Sequence, residues 1–304
     1  MKVINFMGQR KLATLFSVVL LLGSLFSLAT KQLNWGLDFT GGTLVEIHYD
    51  DSADLGAVRS ALESEGYEGA VVVSFGTDQD VLIRLPQGYS DKEGGRLLEK
   101  LQAHYEGEVE LRRIEFVGPQ VGDELREQGG LAMLVALGLV MLYIAFRFQF
   151  KFAVGAVLAL IHDVIIVLGF FSITQAEFDL TVLAAVLAVI GYSLNDTIVV
   201  ADRIRENFRK VRAMNPEEII NLSLTETLER TLLTSLTTIF VLLALAYFGG
   251  EMIHGFAMAL LVGVGIGTYS SIYVAANILM MMKVSKEDLM IPVKEGADLE
   301  QDTP

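Results

Sequence analysis

Residues 191–207 read GYSLNDTIVVADRIREN, and this stretch decides how the rest of the chain is interpreted. An apolar run contains Asn195 and Asp196 and then ends at a cluster of charged residues. A carboxylate within a membrane-spanning helix costs about 2.5 to 3.5 kcal/mol to insert, so Asp196 calls for an explanation. Helical spacing places four further polar side chains on or beside its face: Tyr192, Ser193, Asn195 and Thr197.

Asp196 has two interpretations. Burial in hydrocarbon disfavours the charged form of a carboxyl group, so the side chain can take up and release a proton. Alternatively, it only hydrogen-bonds a neighbouring helix, or it is wetted because it lies about 9 Å from Asp202 along the helix axis. The first interpretation requires a group of opposite charge nearby.

The composition of the chain separates into apolar and charged segments. Hydrophobic residues make up 52% of the 304 residues and charged residues 20%, with a mean hydropathy of +0.49. The net charge of -14 argues against a nucleic-acid-binding protein. Because the chain contains no cysteine, disulfides, thiolate zinc sites and cysteine nucleophiles are excluded.

Six apolar runs predict six membrane spans. The first, 12–30, follows a short N-terminus, 1–11, and the other five lie within 129–282. They are 131–146, 152–174, 180–201, 232–248 and 255–282. A cleavable signal peptide is the alternative for the first run, because small residues lie near its end. The tail 283–304 follows the last span.

Residues 31–128 have the composition of a soluble domain. Their pattern predicts the order strand, helix, strand, strand, helix, strand. The strands are expected at 42–49, 70–75, 81–85 and 108–116, with a turn at 76–80, and the helices at 53–65 and 91–105, the second capped by Ser90. This order is typical of the ferredoxin-like βαββαβ fold, so the fold class is a six-span α-helical membrane protein with one exported α+β domain.

Positive charge marks one side of the predicted topology. Basic residues fall at the N-terminus, between spans two and three, in the loop 202–231 and at the C-terminus: Lys2, Arg10, Lys11, Arg147, Lys151, Arg203, Arg205, Arg209, Lys210 and Arg212 among them. By the positive-inside rule these segments are cytoplasmic, and the acidic 31–128 domain is exported. Within the loop, a helix along the membrane surface is expected to start at Pro216.

Arg230 is the predicted counter-group of Asp196. It enters the fifth span, and three hydroxyl residues follow it on one helical face: Thr234, Thr237 and Thr238. Such a row under a guanidinium indicates a hydrated path for protons. The alternative is an arginine that reaches the membrane interface while the threonines pack between helices.

Two other groups of residues stand out in the spans. His162 and Asp163 are expected to hydrogen-bond across the bundle; the alternative is a secondary part in proton movement. They supply too few ligands for a metal site. Asp163 and Asp196 also raise the alternative of an intramembrane aspartyl protease, but neither lies in a YD or GxGD context. In the sixth span a stripe of small residues predicts a helix-packing face: Gly263, Gly267, Ser271 and Ala275.

Four stretches in order resemble the SecF family of bacterial protein-export membrane subunits. They are GLDFTGGT at 36–43, FVGPQVGDELREQG at 116–129, the opening stretch at 191–207, and ERTLLTSLTT at 229–238. The six-span layout with one exported domain is also similar. In this family, which is related to the resistance-nodulation-division transporters, the aspartate and arginine that match Asp196 and Arg230 are linked to proton transport.

The resemblance implies a location in the bacterial inner membrane, with both termini in the cytoplasm and residues 31–128 in the periplasm. It also implies a function and its partners. We expect a subunit that works with SecD, the SecYEG channel and YajC, and indirectly with SecA, to assist preprotein export using the proton-motive force. It would use protons as the coupling ion, bind no cofactor and not be an enzyme. The expected cycle is that protonation of Asp196 loosens its pairing with Arg230 and moves the 31–128 domain. The alternatives are a proton-driven exporter of small molecules or lipids and a non-transporting assembly scaffold.

Overall fold

The computed structural model describes residues 3–285, apart from 87–88, 90, 106 and 212–213, and also residue 288. The predicted cap by Ser90, the charges Lys2 and Arg212, and most of the tail 283–304 lie outside the described residues. In chain order the α-helices and the strands of the larger sheet are α1 Arg10–Thr30, α2 Leu37–Thr40, β1 Gly42–Tyr49, α3 Leu55–Ser64, β2 Val71–Phe75, β3 Thr77–Leu85, α4 Asp91–Ala103, β4 Val109–Val117, α5 Pro119–Arg147, α6 Phe150–Thr174, α7 Leu180–Lys210, α8 Pro216–Phe248 and α9 Glu251–Met281. A short parallel pair, Asn34–Trp35 with Glu177–Phe178, joins the segments before α2 and α7.

Six of these helices are long and apolar enough to cross a membrane: α1, α5, α6, α7, α8 and α9. The predicted number of spans is therefore confirmed by length and composition. Helices α6 and α7 bury most of their apolar surface inside the bundle, whereas α5 and α8 leave most of theirs on its outside. Several polar residues of these two helices consequently lie in the interior of the bundle, among them His162, Asp163 and Asp196.

Between α1 and α5 lies the predicted α+β domain. Its sheet has the strand order β2-β3-β1-β4, and all neighbouring strands are antiparallel. This is the ferredoxin-like arrangement, so the predicted fold class is confirmed. Alternate side chains of β1 and β3 point toward α3 and α4 and form a separate apolar core, for example Val45, Ile47 and Ile83, which are fully buried.

The predicted turn 76–80 is wrong, because β3 begins at Thr77 and only Gly76 separates it from β2. Gly76 has a φ of +79°, which glycine adopts without strain. Of the residues expected in the turn, Thr77 pairs with Phe75 of β2, and Asp80 pairs with His48 of β1. The carboxylate of Asp80 lies 2.7 Å from Nδ1 of His48 on β1, its register partner.

The predicted loop 202–231 is mostly helical. Helix α7 continues to Lys210, and α8 begins at Pro216 and runs without a break through the fifth span. A capping box at Asn215 and Glu218 fixes the start of α8. The ion pair of Arg203 with Glu226, at 2.7 Å, joins the two helices beyond the predicted spans. The helix expected along the membrane surface is therefore the first part of the span helix itself.

The first helix is packed into the bundle through small polar residues. Ser27 of α1 and Ser172 of α6 share a hydrogen bond of 2.8 Å, and both are buried. One turn earlier, Ser24 lies against Gly169, where there is no room for a side chain on α6. The close approach of these two helices makes α1 part of the bundle.

The basic segments that the sequence placed on one side do lie at one end of the bundle. Arg10, at the start of α1, pairs with Glu217 at the start of α8, at 2.7 Å. Arg147, at the end of α5, reaches Asp202 on α7 at 3.5 Å. We call this the basic end of the bundle, and the α+β domain follows α1 at the opposite end.

The GLDFTGGT stretch forms the junction between that domain and the bundle. Asp38, on α2, accepts a hydrogen bond of 3.0 Å from the backbone amide of Leu180, the first residue of α7. Gly41 and Gly42 then turn the chain into β1 with φ angles of +67° and +131°. A side chain at Gly122 of α5 would come within 2.9 Å of the Gly41 nitrogen. Therefore α2, β1, α5 and α7 meet in one place.

Candidate functional site

Asp196 lies inside the bundle on α7, with 4% of its surface exposed. Its Oδ2 atom is buried and has no hydrogen-bond partner among the described residues. The Arg230 guanidinium and the Ser235 hydroxyl, both on α8, lie near the carboxyl group. A buried carboxylate oxygen without a donor is costly to keep ionised, which makes Asp196 a group that gains from binding a proton.

Arg230 does not form an ion pair with Asp196 within 4.0 Å, and the described residues offer it no other carboxylate at that distance. It is exposed and lines an open cleft of about 660 Å³ between α7 and α8 at the basic end. The predicted ion pair between Asp196 and Arg230 is therefore not formed in this structure. Arg230 and Val199 line the cleft, whereas Asp196 lies deeper, one helical turn before Val199 on α7.

The predicted row of hydroxyls faces a different way from the carboxyl group. Thr234 and Thr237 are exposed, and Thr238 is half-buried. All three donate to carbonyls of their own helix, one turn back. Tyr192 reaches only Thr238, at 3.4 Å, which is long for a hydroxyl contact.

The buried hydroxyls of α8 belong to residues that the sequence analysis did not select. Thr231 and Ser235 are 1% and 3% exposed, and they are one turn apart on the side that faces the bundle. Ser235 shares a hydrogen bond of 2.6 Å with Thr268 of α9. The sequence shows that Thr231 and Ser235 are four residues apart and so share one face of α8. It could not identify this face as the buried one, because Thr234 and Thr238 follow Arg230 at the same interval on another face.

On the α7 helix the predicted polar face is divided between the interior and the surface. Ser193 and Thr197 are buried with Asp196, and the hydroxyl of Thr197 has no partner among the described residues. Tyr192 is half-buried, and Asn195 is exposed. The buried part of the face points to α6, α8 and α9, and the exposed part lies on the outside of the bundle.

A second polar cluster surrounds Asp163, which has no exposed surface. One carboxylate oxygen lies 2.8 Å from Nδ1 of His162. The other accepts hydrogen bonds from Ser193 of α7, at 2.5 Å, and from Ser270 of α9, at 2.7 Å. Asp163 thus hydrogen-bonds across the bundle, as predicted, whereas the hydrogen bond of His162 stays within α6. Ser270 was not selected from the sequence, since it falls outside the small-residue stripe.

The small-residue stripe of α9 packs inside the bundle. Gly263 lies against Val189, and Gly267 lies against Ser193, both on α7. Ser271 is fully buried. The carbonyl of Ala275 would be 3.4 Å from a side chain at Gly155 of α6. The stripe therefore lets α9 approach α6 and α7 closely, which brings Ser270 of α9 within hydrogen-bond distance of Asp163.

Comparison with known proteins was made against family models, curated sequences and solved structures. The model described as protein export membrane protein SecD/SecF, C-terminal, matches residues 97–285. The SecD/SecF GG motif matches residues 26–53, which include the junction described above. The chain belongs to the SecF family. It is 52% identical to the protein translocase subunit SecF of Vibrio alginolyticus, over 99% of this chain and 97% of that protein.

A second SecF sequence and two SecDF structures are also similar to this chain. The chain is 53% identical to the protein translocase subunit SecF of Pseudomonas aeruginosa, over 99% of this chain and 98% of that protein. It matches the crystal structure of SecDF from Thermus thermophilus with a TM-score of 0.84 and 38% identity, over 93% of this chain. SecDF in the super-membrane-facing form matches with a TM-score of 0.70 and 40% identity. This chain spans 39% of the length of each SecDF chain.

Proposed function

We propose that this protein translocase subunit binds protons at Asp196 and uses the proton-motive force to assist preprotein export. The observation that carries the proposal is the buried Asp196 carboxyl group, which has an oxygen without a partner in a membrane helix. Such a group is expensive unless it binds a proton or meets a cation. In the proposed cycle, Asp196 binds a proton in one state and meets a cation in the other.

The cleft supplies the cation in this cycle. Arg230 has no ion-pair partner within the described residues, so its guanidinium is free to approach Asp196 when the carboxyl group ionises. Protonation removes this attraction and leaves the arginine in the cleft. The position of α8 relative to α7 then depends on whether a proton is bound, which gives the two states that a proton-driven device requires.

Helix α7 connects the proton-binding group to the exported domain. Asp196 lies within α7, and the first amide of α7 is held by Asp38 in the junction. The junction continues through Gly41 and Gly42 into β1, an inner strand of the domain sheet. A shift of α7 along or about its axis is therefore passed to the domain through short, hydrogen-bonded connections.

The energy available per proton sets a limit on each step. One charge that crosses a potential of 100 mV supplies about 2.3 kcal/mol. This is enough to change the balance between two conformations by roughly fiftyfold, but not to draw a folded protein across in one step. The proposed action is therefore a repeated cycle in which each proton biases one movement of the domain.

The exposed polar residues of the spans indicate a membrane partner. Asn195 on α7 and Thr234 and Thr237 on α8 lie on the outside of the bundle, although they belong to membrane helices. Polar groups in spans usually face other helices rather than lipid. We assign this face to SecD, which the name of the SecDF relatives supports. SecYEG, YajC and, indirectly, SecA are the further partners we propose, with the basic end in the cytoplasm of a bacterial inner membrane.

Asp196→Asn tests the proposal in cells whose only copy of the subunit carries the variant. Asparagine keeps the shape but does not titrate, so we expect normal assembly with SecD and a slow release of exported protein. Asp196→Glu keeps a titrating group and should restore part of the activity. Asp78→Asn is the control, because it makes the same chemical change at an exposed position of the α+β domain. Export at the control rate in the Asp196→Asn cells would refute the proposal.

A further inference from the structure

The α+β domain is joined to the bundle by two stretches of chain that meet at one corner of its sheet. The chain enters the sheet at Gly42, the first residue of β1, and leaves it at Val117, the last residue of β4. These two residues are register partners, and neighbouring strands lie about 4.8 Å apart. Because both stretches hold the same corner, they alone leave the domain free to tilt about it.

An ion pair holds the sheet on the other side of β1. Arg84 lies on β3, and β1 separates this strand from β4. Its guanidinium pairs with the carboxylate of Glu177, in the segment between α6 and α7. Among the described residues, no other ion pair joins the sheet to the bundle. On β4, Arg113 reaches only the uncharged sulfur of Met252 on α9. The pair of Arg84 with Glu177 therefore opposes a tilt of the sheet about its corner.

This ion pair is packed between the domain and the bundle. The side chains of Arg84 and Glu177 are 21% and 38% exposed, and Nε of Arg84 is buried without a hydrogen-bond partner among the described residues. A Cβ atom at Gly36 would come within 2.9 Å of the Glu177 carboxylate, so glycine leaves room for it there. Because charges that are partly withdrawn from water are screened less, salt weakens this contact less than a fully exposed ion pair.

The Glu177 segment is held to the start of α7. Glu177 lies three residues before Leu180, the first residue of α7, and its backbone pairs with Asn34 in the short parallel pair. Between them, the carboxylate of Asp179 accepts a hydrogen bond of 2.8 Å from the amide of Val182, in the first turn of α7. A displacement of α7 therefore carries the Glu177 carboxylate with it.

We propose that Arg84 is a positioning residue of the export cycle, which through Glu177 makes the tilt of the α+β domain follow α7. This inference rests on the proposed function, in which α7 and α8 respond to the proton at Asp196. The hydrogen bond of Asp38 ties α7 to α2, whereas Arg84 ties it to the sheet itself. Without the ion pair, protons still move through the bundle, but the domain no longer follows.

Exchange of the two charges tests the proposal in cells whose only copy of the subunit carries the variant. Arg84→Glu places two carboxylates side by side, and Glu177→Arg places two guanidiniums side by side. Each should lower the export rate by about two- to thirtyfold, the range for residues that couple two sites. The double variant restores opposite charges and should recover most of the rate. SecD should co-purify with all three variants.

Proton flux separates this role from a role in the proton path. With the complex in vesicles that contain a pH-sensitive dye, flux through Arg84→Glu should not fall below the wild-type rate. Arg112→Glu is the matched control, because the ion pair of Arg112 with Glu110 stays within β4. It should change neither export nor flux. Absence of flux in the wild-type complex would refute the proposed function, whereas the export rates of the Arg84 variants test the positioning role by themselves.

The tilt itself can be measured, because the chain contains no cysteine and two can be introduced for spin labels. Ser60→Cys on α3 and Thr174→Cys at the end of α6 are both at exposed positions. The distribution of distances between the labels should broaden in Arg84→Glu and narrow again in the double variant. An unchanged distribution in Arg84→Glu, wild-type export in that variant, or loss of its proton flux would overturn the proposal.

Discussion

Adding one methyl group at Gly263 tests whether the packing of α9 on α7 is as close as described. A Cβ atom there would overlap both γ carbons of Val189, and the Val189 Cβ would be only 3.0 Å away. Carbon atoms pack at about 3.5 to 4.0 Å, so one helix must move. Overpacking of this kind costs about 1 to 3 kcal/mol.

Gly265 provides the matched control for this change. It lies two residues along the same helix, where an added Cβ meets nothing within 4 Å. Gly265→Ala should stabilise the protein by about 0.8 to 1.0 kcal/mol, because alanine has the higher helix propensity. Gly263→Ala has the same favourable contribution, but the overlap with Val189 opposes it. The difference between the two variants should therefore be about 1 to 3 kcal/mol, with Gly263→Ala the less stable.

The free energy of unfolding can be measured by titration with sodium dodecyl sulfate in mixed micelles. Val189→Ala in the Gly263→Ala background removes the two γ carbons that clash, so it should recover most of the difference. Equal stabilities for the two alanine variants, or no recovery in the double variant, would refute the packing described between α9 and α7.

Three further predictions concern the junction, the acid stability of the domain and the N-terminal segment. Asp38→Ala removes the acceptor for the first amide of α7, which should cost about 1 kcal/mol of stability and lower the export rate in the cell assay while SecD still co-purifies. The hydroxyl of Thr77 holds the pKa of Asp80 below its ordinary value, so this contact stabilises residues 31–128 above about pH 4, and the contribution is lost as the pH falls further. When the pH is lowered, the free energy of unfolding of that fragment, measured in urea, should therefore fall less in Asp80→Asn than in the wild-type sequence. Asn221→Ala leaves the buried backbone amide of Met7 without an acceptor, which should lower the free energy of unfolding by about 1 to 3 kcal/mol. Arg10→Ala breaks only a partly exposed ion pair and should lower it by about 0 to 1 kcal/mol in the same detergent titration.

Much of the fold was predictable because each part has a strong periodicity. The apolar runs are as long as a membrane is thick, and the domain alternates apolar and polar residues along β1. The ends of elements were less predictable. Residues 202–210 are rich in charge, which is typical of a loop, but ion pairs of Arg203 with Glu206 and Glu226 keep them helical.

The site was predictable in part. Asp196 stands out because a carboxyl group is rare in a membrane span, and the structure places it inside the bundle. Which hydroxyls surround it could not be derived from one helix. Ser235 and Ser270 become neighbours of the two carboxyl groups only through the packing of α8 and α9, and helical spacing alone does not show how a helix is rotated.

If Asp196 binds and releases the proton that drives the cycle, proton flux through the complex must depend on its carboxyl group. The chain and its SecD partner would be reconstituted in vesicles that contain a pH-sensitive dye, and a pH gradient with a potential would be imposed. We expect flux through the wild-type and Asp78→Asn complexes and only the leak of empty vesicles in Asp196→Asn. Proton flux at the wild-type rate in Asp196→Asn would show that Asp196 does not carry the proton.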